Sequence, residues 1–162
     1  MPSRRTLLAT AAALLLAGGC TLDPVRRLGP GRGLDAGASG DQVIASMGKP
    51  DRVWKDADGG ESWEYPRPTQ TFMARFDASG KLVKVEDVVT RENSRRVQYG
   101  WKKEEVERLL GRPQETGREP RTGRLQWTWR FRGAYHEPLR FDVYLNDLGY
   151  VTGTSVVEEG ST

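Results

Sequence analysis

One short pattern occurs twice in this 162-residue chain. The segment 43–50, VIASMGKP, recurs as VERLLGRP at 106–113, a shift of 63 residues. Each copy places apolar residues at helical spacing and then ends on Gly-x-Pro. A glycine suits the left-handed position that ends a helix, and a proline two residues later cannot continue it. We therefore predict two short helices with the same stop, in a chain built from two copies of one unit.

The duplication extends into the residues that follow each helix. Trp63-x-Tyr65 matches Trp127-x-Trp129, and 72–88 matches 141–157 at a shift of 69. Residues 125–131 and 139–145 alternate apolar and polar side chains, as antiparallel strands with one solvated face do. A third strand is predicted after each of the turns DASG (77–80) and NDLG (146–149). The predicted fold class is α+β: two tandem repeats, each of one or two short helices packed on a three-stranded antiparallel sheet.

The ends of these elements carry their own signals. Ser39 is predicted to cap the first helix, whereas Lys102 at the equivalent place is a poorer cap. Thr90 is predicted to cap an extra short helix before the second copy, with Asn93 facing back. Pro66 interrupts a strand of the first copy and should make its end an edge or a loop.

The first residues predict export. Two arginines (4 and 5) precede an apolar run at 7–17 that is too short to span a bilayer, and Gly18-Gly19-Cys20 closes it. Residues 1–19 are therefore predicted to be a signal peptide, with Sec and twin-arginine export both open. Cys20 is the one cysteine of the sequence, so no intramolecular disulfide is expected.

The end of this segment resembles a bacterial lipoprotein signal, in which Cys20 becomes the lipid-bearing N-terminus. The resemblance implies a protein anchored in the outer membrane and facing the periplasm; a plain secretory signal is the alternative. Residues 20–35, rich in glycine and proline, are predicted to be a flexible tether. The two repeats are assigned to 36–89 and 90–159.

Charge and residue types argue against several function classes. Without the signal, 23 basic side chains face 22 acidic ones, a balance that speaks against nucleic-acid binding. His136 is the one histidine, and no nucleophile elbow, phosphate loop or dinucleotide fingerprint occurs. We therefore expect no enzyme activity, no metal and no cofactor.

Protein binding is the better-supported hypothesis. The solvated face of the second sheet is predicted to carry four side chains of the types that anchor protein interfaces, Arg130, Arg132, Arg140 and Tyr144. Tyr135 is placed at the adjoining hairpin tip. Trp54 and Trp101 fit no core register, so they are further candidates for exposed contacts. The alternative is that the face is simply the polar side of an amphipathic sheet.

Together these motifs resemble a known family. The chain is similar to the SmpA/OmlA domain of BamE-like lipoproteins in the order of its motifs. That order is Gly-x-(Ser/Lys) before each helix, Gly-x-Pro at its end, Trp-x-aromatic, and then Phe-Asp-x-x-Gly in the first copy. Trp101 and Lys102 depart from that family, which usually has Met and Thr there. The tandem arrangement is also similar to the β-lactamase inhibitor protein in fold.

The resemblance implies a non-catalytic outer-membrane lipoprotein that makes protein–protein contacts, with the β-barrel assembly machinery or other envelope proteins as partners. The alternative is an inhibitor or binding protein for a periplasmic enzyme, using the surface across both repeats. A third class, binding of an apolar ligand between the repeats, also stays open.

Overall fold

The computed structural model describes residue 31 and residues 33–160. The elements follow in the order α1 (Gly40–Met47), β1 (Arg52–Lys55), β2 (Glu61–Arg67), β3 (Gln70–Phe76), β4 (Leu82–Asp87), α2 (Arg91–Ser94), α3 (Lys103–Leu110), β5 (Glu115–Arg118), β6 (Leu125–Arg132), β7 (Pro138–Leu145) and β8 (Val151–Glu158). The strands form two antiparallel sheets, ordered β1-β2-β3-β4 and β5-β6-β7-β8. The α+β class and the two sheet-based halves are thus confirmed.

Each sheet has one strand more than the sequence predicted. The additional strands are β1 and β5, which are short and lie at the edges, paired only with β2 and β6. All four residues of β5 are exposed, so burial does not select alternating apolar side chains there. The period-two signal that reveals the other strands is therefore missing from β5.

Equivalent hydrogen bonds tie the loops together in the two repeats. Gly37 N–H donates to the Leu82 carbonyl at 2.7 Å, and Gly100 N–H donates to the Val151 carbonyl at 2.8 Å. The same correspondence holds for the bridges Ser39–Lys81 and Lys102–Tyr150, and for the β-bulges at Arg75/Phe76 and Tyr144/Leu145. Shared irregularities of this kind indicate a duplicated backbone and not merely a duplicated composition.

The helix caps follow the sequence prediction. Ser39 Oγ accepts from the Gln42 N–H, and Gln42 Oε1 accepts from the Ser39 N–H at 2.8 Å. Lys102 gives no side-chain cap, although Glu105 Oε2 accepts from its N–H at 2.7 Å. Thr90 Oγ1 accepts from the Asn93 N–H at 3.1 Å, which caps α2.

The two stop glycines share one conformation. Gly48 has φ 86° and ψ −174°, and Gly111 has φ 76° and ψ −177°. The positive φ agrees with the prediction, but ψ is extended and lies outside the left-handed helical region. Only glycine adopts this combination readily, and it sends the chain straight out of the helix toward the next strand.

Pro66 lies in the part of β2 that extends past the end of β1. The β1–β2 pairing ends at Arg52–Glu64, while the β2–β3 pairing continues through Pro66–Thr71 to Arg67–Gln70. The missing N–H of Pro66 therefore faces an unpaired edge. The end of this strand is an edge, as the sequence indicated.

Helix α3 lies between the two sheets. Its Val106 and Leu110 are fully buried in the core of the second repeat, which is built on Trp129 and Phe141. Its C-terminal end meets the first sheet, since a Cβ at Gly111 would lie 2.6 Å from Thr71 Cγ2. The other face of the first sheet packs on α1, in a separate core of residues that include Val43, Met47, Tyr65, Phe72, Ala74, Phe76 and Leu82.

The two stop glycines should differ in their tolerance of a methyl group. Gly48→Ala and Gly111→Ala both introduce strain of about 1–3 kcal/mol from the positive φ. The Gly48 position has nothing within 4 Å, whereas the Gly111 position also meets Thr71 and Glu64. We expect Gly111→Ala to lose at least about 1 kcal/mol more in denaturant unfolding. Equal losses in the two variants would contradict the packing of α3 on the first sheet.

Candidate functional site

The outer face of the second sheet carries most of the residues that the sequence singled out. Arg130 pairs with Arg140 across β6 and β7, and Tyr144 and Arg132 lie on the same face. Tyr135 is 91% exposed in the β6–β7 turn. We call the side of the second sheet that carries Arg130, Arg132, Arg140 and Tyr144 the outer face. Trp101 lies elsewhere, before α3.

Arg130 is held between two carboxylates. Its Nε lies 3.1 Å from Glu159 Oε1, and its Nη1 lies 3.0 Å from Glu115 Oε1. The hydrogen bond with Glu115 raises the pKa of Arg130, and the same bond lowers the pKa of Glu115. The guanidinium therefore has a fixed position and a largely balanced charge.

Arg140 is also paired. Its Nε lies 3.0 Å from Asp142 Oδ2, and the Thr128 hydroxyl donates to Asp142 Oδ1 at 2.7 Å. The Asp142 side chain is 1% exposed, so this carboxylate is buried beneath the face. A buried carboxylate needs such partners because it has lost its hydration.

The remaining residues of the outer face are partly committed too. The Arg124 guanidinium stacks 4.5 Å from the Tyr144 ring, and the Tyr144 hydroxyl lies 3.3 Å from Ser155 Oγ. Arg132 is exposed and donates to the His136 carbonyl at 3.0 Å. The outer face is thus an ordered surface on which Arg130 and Arg140 are paired with carboxylates, while Arg124 and Arg132 have no ion pair with the described residues.

Trp54 belongs to the junction between the repeats. Its Nε1 donates to Glu64 Oε2 at 3.3 Å, and the guanidinium groups of Arg52 and Arg108 lie 4.7 Å and 5.1 Å from its ring. Arg52 also pairs with Glu107 of α3 at 2.9 Å. Trp54 therefore joins β1 to the second repeat, although the sequence suggested an exposed contact.

Glu64 is the buried polar group of this junction. It is 1% exposed, and its Oε1 accepts from the Arg112 backbone N–H at 2.6 Å. The Arg112 N–H follows the helix stop at Gly111, so the bond joins the second repeat directly to β2. The site excludes water, which makes the bond electrostatically stronger than an exposed one.

Trp101 lies in a cleft between the repeats. The cleft has a volume of about 370 Å³ and is lined by β3 and β4 of the first sheet and by residues of and near α2 and α3. The Trp101 side chain is partly buried and packs against the second core. The structure thus separates Trp101 from the other five predicted contact residues that lie on the outer face or its hairpin.

Three exposed apolar side chains lie on two neighbouring segments of the second repeat. Tyr99 is 81% exposed, Leu148 is 82% exposed and Tyr150 is 37% exposed. Hydrogen bonds from Gly100 N–H to the Val151 carbonyl, and from Lys103 N–H to the Gly149 carbonyl, bring their two short segments together. We call Tyr99, Leu148 and Tyr150 the apolar patch.

The first repeat has small or polar residues at the matching places. Ala36, Ser79 and Lys81 correspond to Tyr99, Leu148 and Tyr150 by the shifts of 63 and 69. Our reasoning from sequence missed this patch because isolated apolar residues in turns give no periodic signal. The sequence does carry one signal for the patch: large apolar residues replace small or polar ones at aligned positions of the two copies.

Two further findings concern the described residues only. None of their helices is long and apolar enough to cross a membrane. No three His, Cys, Asp or Glu side chains among them are grouped so that they could hold a metal ion. Cys20 lies outside the residues that the structure describes.

Comparison with known proteins gives no family. No protein-family model matches the chain, and no curated protein matches it. The SmpA/OmlA resemblance therefore stays a prediction.

Solved structures that match include a protein provisionally named β-lactamase inhibitor protein from Streptococcus mutans, at 11% identity and TM-score 0.31, covering 74% of this chain and 82% of that one. A DUF4309 family protein (YjgB) from Bacillus subtilis matches at 11% identity and TM-score 0.30, covering 75% and 79%. An extracellular protein containing an SCP domain from Bacillus anthracis matches at 16% identity and TM-score 0.30, covering 76% and 44%.

The junction predicts a graded response at Glu64. Glu64→Ala removes the acceptor of two donors in a buried site and should cost about 1–3 kcal/mol in unfolding free energy. Glu64→Gln keeps one acceptor oxygen in the same shape, so we expect it to recover part of that loss. Urea unfolding of both variants measures the difference. If the two variants lose the same stability, the bond from the Arg112 N–H to Glu64 does not hold the repeats together.

Proposed function

We propose that this chain is a non-catalytic, lipid-anchored envelope protein that binds a partner protein through the apolar patch. The carrying observation is the exposure of Tyr99, Leu148 and Tyr150 at positions where the first repeat has Ala36, Ser79 and Lys81. Large apolar side chains that are about four-fifths exposed gain free energy when a partner removes them from water. Tyrosine is also among the residues that supply most of the binding energy in interfaces.

The surroundings of the patch indicate the chemistry of the partner. Lys102 and Lys103 are exposed beside it, and the Lys103 side chain lies over the Gly149 turn. Lys102 is bridged to Tyr150 through the backbone. Lys103 is itself 4.0 Å from the Glu104 carboxylate, so Lys102 is the cation beside the patch that has no ion pair with the described residues. A partner surface with an apolar centre and a carboxylate opposite Lys102 would be complementary to the patch.

The proposal is one of binding because the polar groups of the outer face act on one another. Arg130, Arg140 and Asp142 are engaged in ion pairs that hold the sheet surface rigid. His136 lies exposed in the hairpin turn, where its carbonyl accepts from Arg132. Because these charges are already paired, the outer face offers a partner less than the apolar patch does.

The resemblance to SmpA/OmlA lipoproteins supports the choice of partner. Within this proposal, Cys20 carries the lipid and the two repeats face the periplasm. The partner is then a component of outer-membrane protein assembly or another envelope protein. Inhibition of a periplasmic enzyme is the competing role, and the same experiment can detect it.

Replacing the apolar patch by the residues of the first repeat should abolish partner recovery. The triple variant Tyr99→Ala, Leu148→Ser, Tyr150→Lys uses side chains that the same backbone already accepts at Ala36, Ser79 and Lys81. We expect at least about a tenfold loss of the crosslinked partner in a pull-down, because truncated interface anchors commonly cost 2 kcal/mol or more. Each exposed substitution should change the unfolding free energy by no more than about 0.5 kcal/mol.

Tyr135→Ala is the matched control, since Tyr135 is 91% exposed but lies in another turn. It should leave partner recovery unchanged. A loss in this control, with full recovery by the triple variant, would place binding on the hairpin instead. Failure of the wild-type protein to recover any envelope protein would contradict the proposal. Inhibition of β-lactamase or lysozyme by the purified domain would favour the inhibitor role.

The anchor gives a separate prediction. Cys20→Ala should move the protein from the membrane fraction to the soluble periplasmic fraction, because the acyl chains are then absent. Cell fractionation followed by immunoblotting measures the shift, with Cys20→Ala and wild type expressed at the same level. Retention of the variant in the membrane fraction would rule out anchoring through Cys20.

A further inference from the structure

The cleft between the repeats is lined by more basic than acidic side chains. Of its lining residues, Arg75, Lys84, Arg96 and Arg108 are basic, and Glu86 and Glu105 are acidic. Arg108 is paired at 3.7 Å with Asp56, which lies outside the lining, so the cations open to a ligand are Arg75, Lys84 and Arg96. At about 370 Å³ the cleft lies at the lower end of the range of small-molecule sites.

The wall formed by the first sheet leaves one positive charge without a carboxylate. Glu86 receives both Arg75 Nε at 2.6 Å and Lys84 Nζ at 2.8 Å, one on each oxygen. Burial raises the pKa of Glu86, but these hydrogen bonds outweigh it and leave the pKa below its usual value. Arg75 is further fixed by a 2.9 Å bond from its Nη1 to Ser62 Oγ. The guanidinium is therefore held in place, with its charge only half compensated.

The wall formed by the second repeat offers donors and an apolar surface. Arg96 Nη1 donates to Asn93 Oδ1 at 3.0 Å, and the guanidinium has no ion pair with the part of the chain that the structure describes. The Trp101 indole N–H donates to no atom of those residues either. Trp101 and Leu109 are partly buried and provide the apolar part of the lining.

We propose that this cleft binds a small organic dianion with a flat apolar body. One anionic group would match the half-compensated pair Arg75 and Lys84, and the other would match Arg96 on the opposite wall. Guanidinium groups bind carboxylates with two parallel hydrogen bonds. The flat body would lie against Trp101 and Leu109, and the indole N–H would donate to one of the anionic oxygens. Neutral molecules of the same shape bind more weakly because they leave the excess charge unmatched.

Phthalate is the probe, and phthalamide is the neutral control of the same size. Titration into the purified soluble domain is followed by calorimetry and by the ¹⁵N spectrum of the tryptophan indole groups, with Trp101→Phe identifying the Trp101 signal. We expect saturable binding of phthalate, a shift of the Trp101 signal, and a weakening at high salt because the cations are partly exposed. Phthalamide should produce neither effect.

The variant Lys84→Gln/Arg96→Gln should weaken phthalate binding by at least about tenfold, since it removes two charge-assisted contacts. Arg132→Gln removes an exposed cation from the outer face and should leave binding unchanged. Unchanged folding is checked by circular dichroism and by the melting temperature. The absence of saturable phthalate binding up to about 10 mM, or equal weakening by Arg132→Gln, would overturn the proposal. So would binding that leaves the Trp101 signal unmoved.

Discussion

The contact between the end of α3 and the first sheet is the constraint on which the rest of the molecule depends. Gly111 has no side chain, so the backbone after α3 comes close enough for the Arg112 N–H to reach the buried carboxylate of Glu64. That bond satisfies a buried polar group that would be costly to leave without a partner. It also fixes α3, whose other side carries Val106 and Leu110 into the second core. One helix thereby belongs to two packing layers.

This arrangement makes two similar repeats unequal. Gly48 and Gly111 share a sequence context and a conformation, yet a Cβ at Gly48 would face open space, whereas one at Gly111 would meet Thr71. The first sheet is covered on one side by α1 and contacted on the other by α3. The second sheet keeps an outer face in solvent. Surfaces that are equivalent in the isolated unit therefore differ in the whole chain, and this difference gives the two copies room to diverge.

The divergence separates the surfaces that we connect with function. On the outer face, Arg130 pairs with Glu115 and Glu159, and Arg140 pairs with Asp142. These ion pairs fix the side chains and reduce the charge that could attract a partner. The residues of the apolar patch have no large apolar counterparts in the first repeat. The cleft exists only because two repeats meet, so no single unit could provide it. Partner binding at the patch and anion binding in the cleft would be independent properties.

Local sequence signals determined the two-repeat α+β plan, the capped and stopped helices, and the alternating strands, because each depends on residues a few positions apart. They did not reveal the edge strand β5, whose exposed residues carry no apolar alternation. They also did not reveal three contacts between distant segments. Arg130 pairs with Glu159, and Trp54 stacks under Arg108 of the other repeat. Tyr99 and Leu148 lie on neighbouring segments. Those facts follow from which distant segments pack together. Tertiary packing decides them because burial and charge pairing depend on distance in space, which local sequence spacing does not fix.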